Sequence, residues 1–349
     1  MQAMLLKSPG SALVPTELEK PIPGEEQLLV RVLACGICRT DLHVLDGELS
    51  QTVYPIVPGH QVVGIVEDMG SLVTQFSIGQ RVGIPWLGSS CQHCDFCRSG
   101  KENLCADARY TGCQINGGFA EYCTANHHYC FSLPQHYSDL QVAPLLCAGL
   151  IGYRAYRLAG SGLMGKPLKL GMMGFGASAH ILIQLAISQG DHVFAFTRKG
   201  DNAAQDFARK LGASWAGSAG DTPDTLLDAI IIFAPAGELV PRALALVRPG
   251  GTVVCAGIHM SPIPSFDYEL LWGERTICSV ANLTRQDGIE FMSLAEKIRI
   301  NTQVKAYPLS QANEALADLK AGRFNGAAAI TFPWFQDRDI VRHPSGYFI

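Results

Sequence analysis

The stretch CQHCDFCRSGKENLC, residues 91–105, carries four cysteines at a spacing suited to a metal ion. Cys91, Cys94, Cys97 and Cys105 follow the pattern C-x2-C-x2-C-x7-C. Thiolates that lie close together on a turn can converge on one tetrahedral Zn²⁺, with Zn–S distances of about 2.3 Å. Because four thiolates leave no open coordination position, we predict a structural zinc in a lobe spanning about residues 88–106.

An iron–sulfur cluster is the alternative for this group. In bacterial ferredoxins the fourth cysteine follows more closely and precedes a proline. Here seven residues precede Cys105, and Ala106 follows it. Isolated core thiols would not explain the even spacing, so zinc is the preferred interpretation.

A second stretch, ACGICRTDLH at residues 34–43, combines two cysteines with an aspartate and a histidine. Such side chains can bind a metal or carry a proton. They can equally be core thiols and surface polar groups. The spacing alone does not decide between these interpretations.

The turn GFGASA at residues 174–179 departs from G-x-G-x-x-G only at its last position, where alanine is an accepted variant. It follows the run LKLGMM and opens an apolar helix, which is typical of a dinucleotide-binding turn. Backbone N–H groups at the helix start are predicted to hold a pyrophosphate. An ordinary strand-to-helix turn is the alternative. The residues of this predicted cofactor site are Gly174, Gly176, Ala177, Ser178 and Ala179.

The strand that follows, VFAFT, ends at Thr197, and Arg198 comes next. An NAD site usually has an acidic residue about 20 positions after the turn, where it binds the ribose 2′-hydroxyl. A neutral hydroxyl and a cation would not repel a 2′-phosphate. The pair therefore favours NADP(H), unless Arg198 is only a solvated surface residue.

The elements that must position these motifs are of two kinds. Up to about residue 150, short β-branched runs alternate with Gly and Pro turns, which predicts a mostly antiparallel β domain. Strands then alternate with helices to about residue 282, which predicts a parallel sheet covered on both faces. The later residues are predicted to form helices, a strand and a loose polar tail from residue 336.

Individual elements are predicted from the apolar pattern of each run. The predicted strands are LLVRVLA, QVVGIVEDMG, RVGIPW, LKLGMM, DHVFAFT, LDAIIIFAP, GGTVVCAGI and AAAITF. The predicted helices are DNAAQDFARKLGA, PRALALVRPG, IEFMSLAEKI and QANEALADLKAG.

Composition limits the possible classes of protein. The chain has 349 residues, which suggests two domains, and its formal net charge of −4 gives no basic footprint for nucleic acid. It shows neither a signal peptide nor an apolar run of membrane-spanning length. A cytoplasmic location is predicted, so the 12 cysteines are expected to be metal ligands and core thiols rather than disulfides.

Several motifs in fixed order carry a family resemblance. GICRTDLH, PGHQVVG (58–64), the four-cysteine lobe, APLLCAGLIGYRA (143–155) and GFGASAH together resemble the zinc-dependent, medium-chain alcohol dehydrogenase family, especially its microbial and cinnamyl-type branch. The resemblance covers nearly the whole chain apart from the tail. It implies a GroES-like catalytic domain (1–148), a Rossmann doubly wound cofactor domain (149–284) and a return to the catalytic domain with the tail (285–349).

The resemblance also implies a catalytic zinc bound by Cys38, His60 and Cys147, a ligand set that leaves one position open. Asp41 would then hydrogen-bond His60 and fix its tautomer. Cys35 matches no ligand of the family and is expected to be a buried thiol. The same is expected of the other cysteines, which are Cys113, Cys123, Cys130, Cys255 and Cys278.

Further roles are implied for neighbours of Cys38. Arg39 would contact the cofactor pyrophosphate, and Thr40 and His43 would carry the substrate proton towards solvent. A turn hydroxyl and a surface imidazole are the alternatives for the last two. Gln61 departs from the family pattern, because many members carry Glu at that position.

The implied substrate pocket is apolar and favours primary alcohols and aldehydes over polyols. Its residues by resemblance are Leu49, Trp86, Leu87 and Ile151, although Trp86 could be a core aromatic. The implied activity is reversible hydride transfer between such alcohols and NAD(P)(H), in a cleft between the domains. The family also implies a homodimer or homotetramer, with TICSVA (276–281) as a candidate edge strand.

Three other functions fit parts of this pattern. They are a polyol or formaldehyde-linked dehydrogenase of the same fold, a zinc-free quinone reductase, and a zinc-stabilised binding protein without turnover. The intact set of Cys38, His60 and Cys147 argues against a binding protein, because such a protein needs no open metal site.

Overall fold

The computed structural model describes residues 1–160, 166–324 and 326–334. In chain order its strands are β1 (Gln2–Leu5), β2 (Val14–Glu17), β3 (Gln27–Ile37), β4 (Gln61–Met69), β5 (Arg81–Ile84), β6 (Leu87–Ser89), β7 (Arg109–Tyr110), β8 (Tyr122–Asn126), β9 (Phe131–Ser132), β10 (Lys169–Met173), β11 (His192–Thr197), β12 (Trp215–Ser218), β13 (Leu227–Ile232), β14 (Val247–Cys255), β15 (Thr276–Ser279), β16 (Val304–Pro308) and β17 (Ala327–Thr331). Its α-helices are α1 (Arg39–Asp46), α2 (Asp95–Arg98), α3 (Asp139–Val142), α4 (Ala148–Leu158), α5 (Ala177–Ser188), α6 (Asn202–Lys210), α7 (Leu239–Leu246), α8 (Tyr268–Leu271), α9 (Arg285–Lys297) and α10 (Ala312–Ala321). Short 3-10 turns cover Glu102–Leu104, His127–Tyr129, Ala143–Leu146 and Leu309–Gln311.

The chain divides into two compact units. One consists of residues 1–150 and the described residues from 282 onwards, and the other of residues 151–281. No helix within the described ranges is long and apolar enough to cross a bilayer.

The first unit is built on a mostly antiparallel sheet with the strand order β16-β17-β3-β4-β5-β9, in which β8 also pairs with β3. The long strand β3 has antiparallel neighbours in β17, β4 and β8. Its apolar side chains, such as Leu28 and Val30, are fully buried and pack with Val62 and Phe119. This sheet confirms the predicted antiparallel β domain, and its core fixes the end of β3 before Cys38 and the start of β4 after His60.

The second unit is a parallel sheet with the strand order β12-β11-β10-β13-β14-β15. Its central strands are apolar along their whole length, as expected for a sheet covered on both faces. Strands β11 and β12 lie on one side of β10. Strands β13, β14 and β15 lie on its other side. The carboxyl ends of β10 and β13 therefore form a topological switch point, where ligands of doubly wound sheets bind. This is the predicted Rossmann architecture.

Some element boundaries differ from the predictions. The helix predicted over PRALALVRPG ends at Leu246, and the rest of that run belongs to β14. Pro249 lacks an N–H, and Gly250 has a φ of 71°, so a helix cannot continue there. The strand predicted over RVGIPW ends at Ile84, before Pro85. Helix α1 and strand β12 were not predicted, and the tail predicted from residue 336 lies outside the described residues.

Candidate metal and cofactor sites

Three predicted metal ligands from distant parts of the first unit meet at one point. The ligand atoms of Cys38, His60 and Cys147 all lie within 4.8 Å of one another. The two sulfurs are 3.7 Å apart, and Cys38 Sγ is 3.2 Å from His60 Nε2. Two sulfurs on a tetrahedral zinc at about 2.3 Å would be separated by about 3.8 Å. The group therefore fits a zinc ion and leaves one tetrahedral position for another ligand.

Local structure explains how Cys38 is held. It is the N-cap of α1, and its sulfur accepts a hydrogen bond from the Thr40 backbone N–H. Asp41 completes a capping box by accepting the Cys38 backbone N–H at 2.9 Å. One turn of helix thus places the ligand Cys38 and the aspartate behind it.

Asp41 also binds the second ligand. His60 Nδ1–H donates to Asp41 Oδ1 at 3.0 Å, and both residues are buried. This contact leaves Nε2 to face the two sulfurs, which is the orientation that a metal-binding histidine needs. A single carboxylate therefore orients two of the three ligands.

The electrostatics of the group follow from its burial and its charges. Burial lowers the pKa of His60, but the attraction of Asp41 and Cys38 outweighs it and raises the pKa to about 10. The hydrogen bond from Cys147 lowers the pKa of Cys38 well below its ordinary value. The site thus favours an anionic Cys38 sulfur, which is the form that binds a metal.

His60 follows a glycine that no other residue can replace without strain. Gly59 has a φ of 95°, and a Cβ on it would lie 2.5 Å from Phe119 and 2.8 Å from the Cys35 sulfur. Cys35 is itself fully buried and belongs to neither group of possible metal ligands. The close packing of these residues fixes the chain where it enters β4 and brings His60 to its place.

Trp86 lies directly beside His60. Its ring makes an edge contact with the imidazole at a centroid distance of 5.1 Å and stacks on Tyr110 at 5.0 Å. The other residues predicted for the pocket are less distinctive. Leu87 is fully buried in β6, Leu49 is partly buried against the core of the first unit, and Ile151 belongs to the second unit.

The residues predicted to carry the proton lie on α1. Thr40 is buried and His43 is partly buried, and their spacing of three residues places them on one face of the helix. His43 Nδ1 hydrogen-bonds the carboxylate of Glu48, a partner that was not predicted. The sequence feature that could have indicated this contact is Gly47, because it ends α1 and turns the chain back towards the helix. Arg39, at the start of α1, is exposed.

Gln61, beside the ligand His60, is buried. Its side-chain oxygen would lie 2.8 Å from a Cβ placed on Gly36, its partner across the β3–β4 pair. Among the described residues, Gln61 Nε2 has no hydrogen-bond partner. A neutral amide thus occupies the position where many family members carry a carboxylate.

The four cysteines of the lobe also converge. Their sulfurs lie within 4.8 Å of one another. Cys97 is 3.8 Å from Cys91 and 3.6 Å from Cys94, close to the sulfur separation of about 3.8 Å around a tetrahedral zinc. Backbone hydrogen bonds from His93 and Cys94 lower the pKa of Cys91 to about 6, whereas burial raises that of Cys105 to about 11.

Two contacts attach the lobe to the rest of the first unit. Ser90 Oγ bonds the Tyr129 hydroxyl at 2.6 Å and lies 3.1 Å from the Cys97 sulfur. Buried Glu102 accepts the backbone N–H of Arg285, the first residue of α9, at 2.6 Å. The lobe is thus connected to residues both near and far along the chain.

The predicted pyrophosphate turn lies between β10 and α5 in the second unit. Gly176 is the N-cap of α5, and no side chain caps that helix end. The first N–H groups of the helix are therefore available for an anion. Ala177, Ser178 and Ala179 form the first turn of α5, and Gly174 follows β10 directly.

Thr197 and Arg198, the two residues predicted to contact the cofactor ribose, differ in their exposure. Thr197 is buried, and its hydroxyl accepts from Gln205 Nε2 and donates its one hydrogen to the backbone carbonyl of either Arg198, at 3.2 Å, or Gly217, at 3.4 Å. Arg198 is exposed at the carboxyl end of β11, next to Lys199, which is also exposed and was not predicted. The cations, rather than the threonine hydroxyl, are therefore the groups open to a ligand.

Comparison with known proteins agrees with this geometry. Residues 24–135 match the family model of the alcohol dehydrogenase GroES-like domain. A probable alcohol dehydrogenase from Mycobacterium tuberculosis is 45% identical over 91% of each chain. An alcohol dehydrogenase from Geobacillus stearothermophilus is 33% identical over 95% of this chain and 99% of its own.

Among solved structures, a cinnamyl alcohol dehydrogenase from Sorghum bicolor superimposes with a TM-score of 0.85. It is 27% identical, and the match covers 95% of this chain and 97% of that one. Likeness over nearly the full length, in both sequence and fold, shows that this chain belongs to the zinc-dependent medium-chain alcohol dehydrogenase family and is an oxidoreductase of the alcohol dehydrogenase type.

Proposed function

We propose that the protein oxidises primary alcohols to aldehydes, reversibly, with a zinc ion at Cys38, His60 and Cys147 and a nicotinamide dinucleotide as hydride acceptor. The observation that carries this proposal is the meeting of these three side chains around one point, with Asp41 behind two of them. Three ligands leave a tetrahedral position in which a substrate oxygen can bind.

The chemistry divides between the metal and the chain. Zinc bound there supplies Lewis acidity, which lowers the pKa of a hydroxyl group in the open position. A nicotinamide dinucleotide held in the second unit would supply the hydride acceptor, and the O–H proton of the alcohol would pass to the chain. We assign that proton first to Thr40 and then to His43, which share one face of α1. The products are an aldehyde, NAD(P)H and a proton released to solvent.

For the four-cysteine lobe we propose a second, structural zinc. The sulfur separations of 3.6–3.8 Å support it, as does a complete set of four thiol ligands. A closed site has no position for a substrate. Its role would be to hold the lobe in shape, because α2 and the 3-10 turn at Glu102–Leu104 are too short to be stable alone.

We assign cofactor binding to the second unit and catalysis to the first. The turn Gly174–Gly176 and the start of α5 would hold the pyrophosphate. We favour NADP(H) because Arg198 and Lys199 are exposed at the end of β11, while Thr197 cannot repel a 2′-phosphate. Substituting Arg198→Ala should then raise the KM for NADPH by about tenfold and leave that for NADH nearly unchanged.

Within the first unit we assign the substrate pocket to Leu49, Trp86 and Leu87. The support is strongest for Trp86, which contacts the ligand His60 through its ring edge. An apolar wall beside the metal favours simple alcohols over polyols, whose additional hydroxyls would need polar partners.

We also propose a homodimer or homotetramer that pairs through β15. Within the described residues this strand lies at the edge of the parallel sheet and bonds only β14. Trp272 and Tyr268, just before it, are 67% and 72% exposed, which is unusual for large aromatic residues. Light scattering after size exclusion would distinguish these states from a monomer. A cytoplasmic location remains a prediction from the sequence.

The deciding experiment for the activity is an assay of NADH and NADPH oxidation against a panel of aldehydes and ketones. We expect aldehyde-dependent oxidation with the zinc-loaded enzyme and faster turnover with NADPH than with NADH. Absence of turnover with every aldehyde would refute the proposal. Turnover that survives both chelation and Cys38→Ala would instead favour a zinc-free quinone reductase.

A further inference from the structure

Trp86, whose ring borders the candidate ligand His60, is held by two residues that follow the four-cysteine lobe. Tyr110 lies opposite Leu87 in the β6–β7 pair, and the N–H of Thr111 donates to the Trp86 carbonyl at 2.8 Å. The Tyr110 ring stacks on the indole at a centroid distance of 5.0 Å, with an angle of 13° between the ring planes. Two consecutive residues thus fix both the backbone and the ring of Trp86.

Tyr110 is itself held by its own backbone. Its carbonyl accepts hydrogen bonds from the N–H groups of Cys113, Gln114 and Ile115, at 3.2, 3.0 and 3.2 Å. Its N–H donates to the side-chain oxygen of Gln114 at 3.0 Å. Because both backbone groups of Tyr110 are used within one tight turn, its ring projects from a fixed point of the chain.

The same turn packs against the residue that precedes His60. Gly112 has a φ of 76°, and a Cβ placed on it would lie 2.9 Å from the backbone nitrogen of Gly59. A few residues later, the N–H of Gly118 donates to the Gly59 carbonyl at 2.9 Å. Residues 110–118 therefore set the position of both His60 and the indole beside it.

We infer that Tyr110 is a positioning residue that determines substrate specificity, because its stacked ring fixes the plane of the Trp86 indole beside the candidate metal site. The inference rests on the function proposed above. The indole contacts Tyr110 through its face and meets the His60 ring at an interplanar angle of 79°, so two contacts in different directions oppose its rotation. A planar wall that cannot tilt admits a flat ring and excludes a puckered ring of the same carbon number.

A tyrosine that only fills space would give a different result when it is replaced. Loss of packing lowers stability and the amount of active protein, which reduces the measured rates for all substrates alike. The ratio of kcat/KM values for two substrates does not depend on the concentration of active enzyme. A change in that ratio therefore reports on the pocket and not on folding.

The test compares the oxidation of benzyl alcohol and cyclohexylmethanol. Both are primary alcohols with the same number of carbons, and they differ in the planarity of the ring. In Tyr110→Leu, which removes the stacked ring but stays apolar, we expect the benzyl-to-cyclohexyl ratio of kcat/KM to fall by about tenfold. Tyr110→Phe keeps a ring on the indole and should hold the ratio within about twofold of the native value.

Tyr122 offers a matched control in the same unit. Its ring is paired with another tryptophan, Trp334, at a centroid distance of 6.0 Å, and neither residue belongs to the two groups of candidate metal ligands. Tyr122→Leu should leave the ratio of the two alcohols at its native value. An equal fall in this variant would show a general loosening of the first unit and would overturn the inference.

A double-mutant cycle distinguishes action through Trp86 from direct contact between Tyr110 and the substrate. In a Trp86→Leu background there is no indole to hold, so the addition of Tyr110→Leu should leave the ratio unchanged. A further fall of the same size in that background would show that Tyr110 acts without Trp86, and the positioning role would be wrong.

The results also distinguish this inference from the proposed function. If the native enzyme oxidises neither alcohol and reduces neither of the corresponding aldehydes, the proposed function is wrong, and the role of Tyr110 in specificity is wrong with it. If the native enzyme oxidises both alcohols and Tyr110→Leu leaves their ratio unchanged, the proposed function stands and only the role of Tyr110 is refuted.

Discussion

The two groups of candidate metal ligands in the first unit are built in opposite ways. Cys38, His60 and Cys147 come from positions as much as 109 residues apart and meet beside fully buried residues. The four cysteines of the lobe come from a single run of residues, 91–105, and two of them are only partly buried. The first group depends on the whole β core, and the second depends mainly on one loop.

The two groups also differ in the hydrogen bonds that their ligand residues receive. In the lobe, backbone N–H groups donate to Cys91 and Cys105, so the loop itself stabilises negative sulfur. In the other group, buried Asp41 holds both the Cys38 backbone and the His60 ring. Together with three ligands instead of four, this arrangement is suited to chemistry at an open position, whereas the lobe is suited to folding.

The comparison predicts its largest effect for a ligand of the open group. We expect His60→Ala to reduce kcat by about 1,000-fold or more, because the Lewis acid is worth several kcal/mol in the transition state. Metal analysis should show the loss of one zinc per chain. Phe119 and the β core should keep the fold, as circular dichroism can check. Turnover at the native rate would contradict the assignment.

For the four-cysteine group we expect a loss of stability with little change in turnover. Cys97→Ala should release the other zinc and lower the free energy of unfolding by on the order of 3–5 kcal/mol, because metal binding is coupled to folding of the lobe. Turnover measured well below the melting temperature should stay within about twofold of native. A complete loss of turnover with an intact fold would mean that the two groups are not separate in function.

Low pH destabilises the fold and so limits the pH range in which the two groups of candidate metal ligands can be compared. His180 in the second unit contributes to this loss of stability. Burial lowers the pKa of His180 from 6.5 to about 4, and neither ring nitrogen has a hydrogen-bond partner among the described residues. As the pH falls below 6.5 the unfolded chain takes the proton first, so stability is lost until the pH reaches about 4.

The expected loss from this histidine is about 3 kcal/mol between pH 7 and pH 4. His180→Leu, which has a similar size and no charge, should remove that part of the acid sensitivity. Denaturant unfolding at a series of pH values in both proteins would measure it. Identical pH dependence of the two proteins would show that His180 does not titrate as described.

Removing the carboxylate behind the open group should have an intermediate effect. We expect Asp41→Asn to lower zinc affinity or kcat by about 10–100-fold, because the amide cannot hold the His60 tautomer with the same charge. Competition with a chelator would measure the affinity. The four-cysteine group, which does not include Asp41 or its partners, should keep its zinc in this variant, and loss of both zincs would contradict the comparison.

The smallest effect is expected for a thiol that belongs to neither group. Cys35 lies three residues before Cys38 and is fully buried. Cys35→Ala should cost about 1–2 kcal/mol of stability through a small cavity and should leave turnover and zinc content unchanged. A zinc content below that of the native protein would show that proximity in the sequence, rather than the geometry described, decides which cysteines bind metal.

The two groups also show how much the sequence could predict. The four cysteines were found from their spacing alone, because a local loop sets their geometry. The other three ligands could be named only through a family resemblance. What joins Cys38, His60 and Cys147 is the register of β3 and β4 and the packing around Gly59, and short-range patterns do not contain such long-range contacts.

The same limit explains the smaller errors. The parallel sheet was predicted because its buried strands are continuous apolar runs, but β12, with the sequence WAGS, is too short and too rich in small residues to be recognised. Helix α1 was missed because it is held by the Cys38–Asp41 capping box rather than by apolar periodicity. Thr197 stays a prediction for the ribose site, and its hydroxyl contacts with Gln205 and Gly217 were not predictable from the sequence.

The most direct test of these assignments is a crystal structure of the native protein with an anomalous difference map at the zinc absorption edge. We expect two peaks per chain, one among Cys91, Cys94, Cys97 and Cys105 with four protein ligands, and one among Cys38, His60 and Cys147 with three. A single peak in the lobe, or a fourth protein ligand in the second group, would contradict the central claim that one group is closed and the other open.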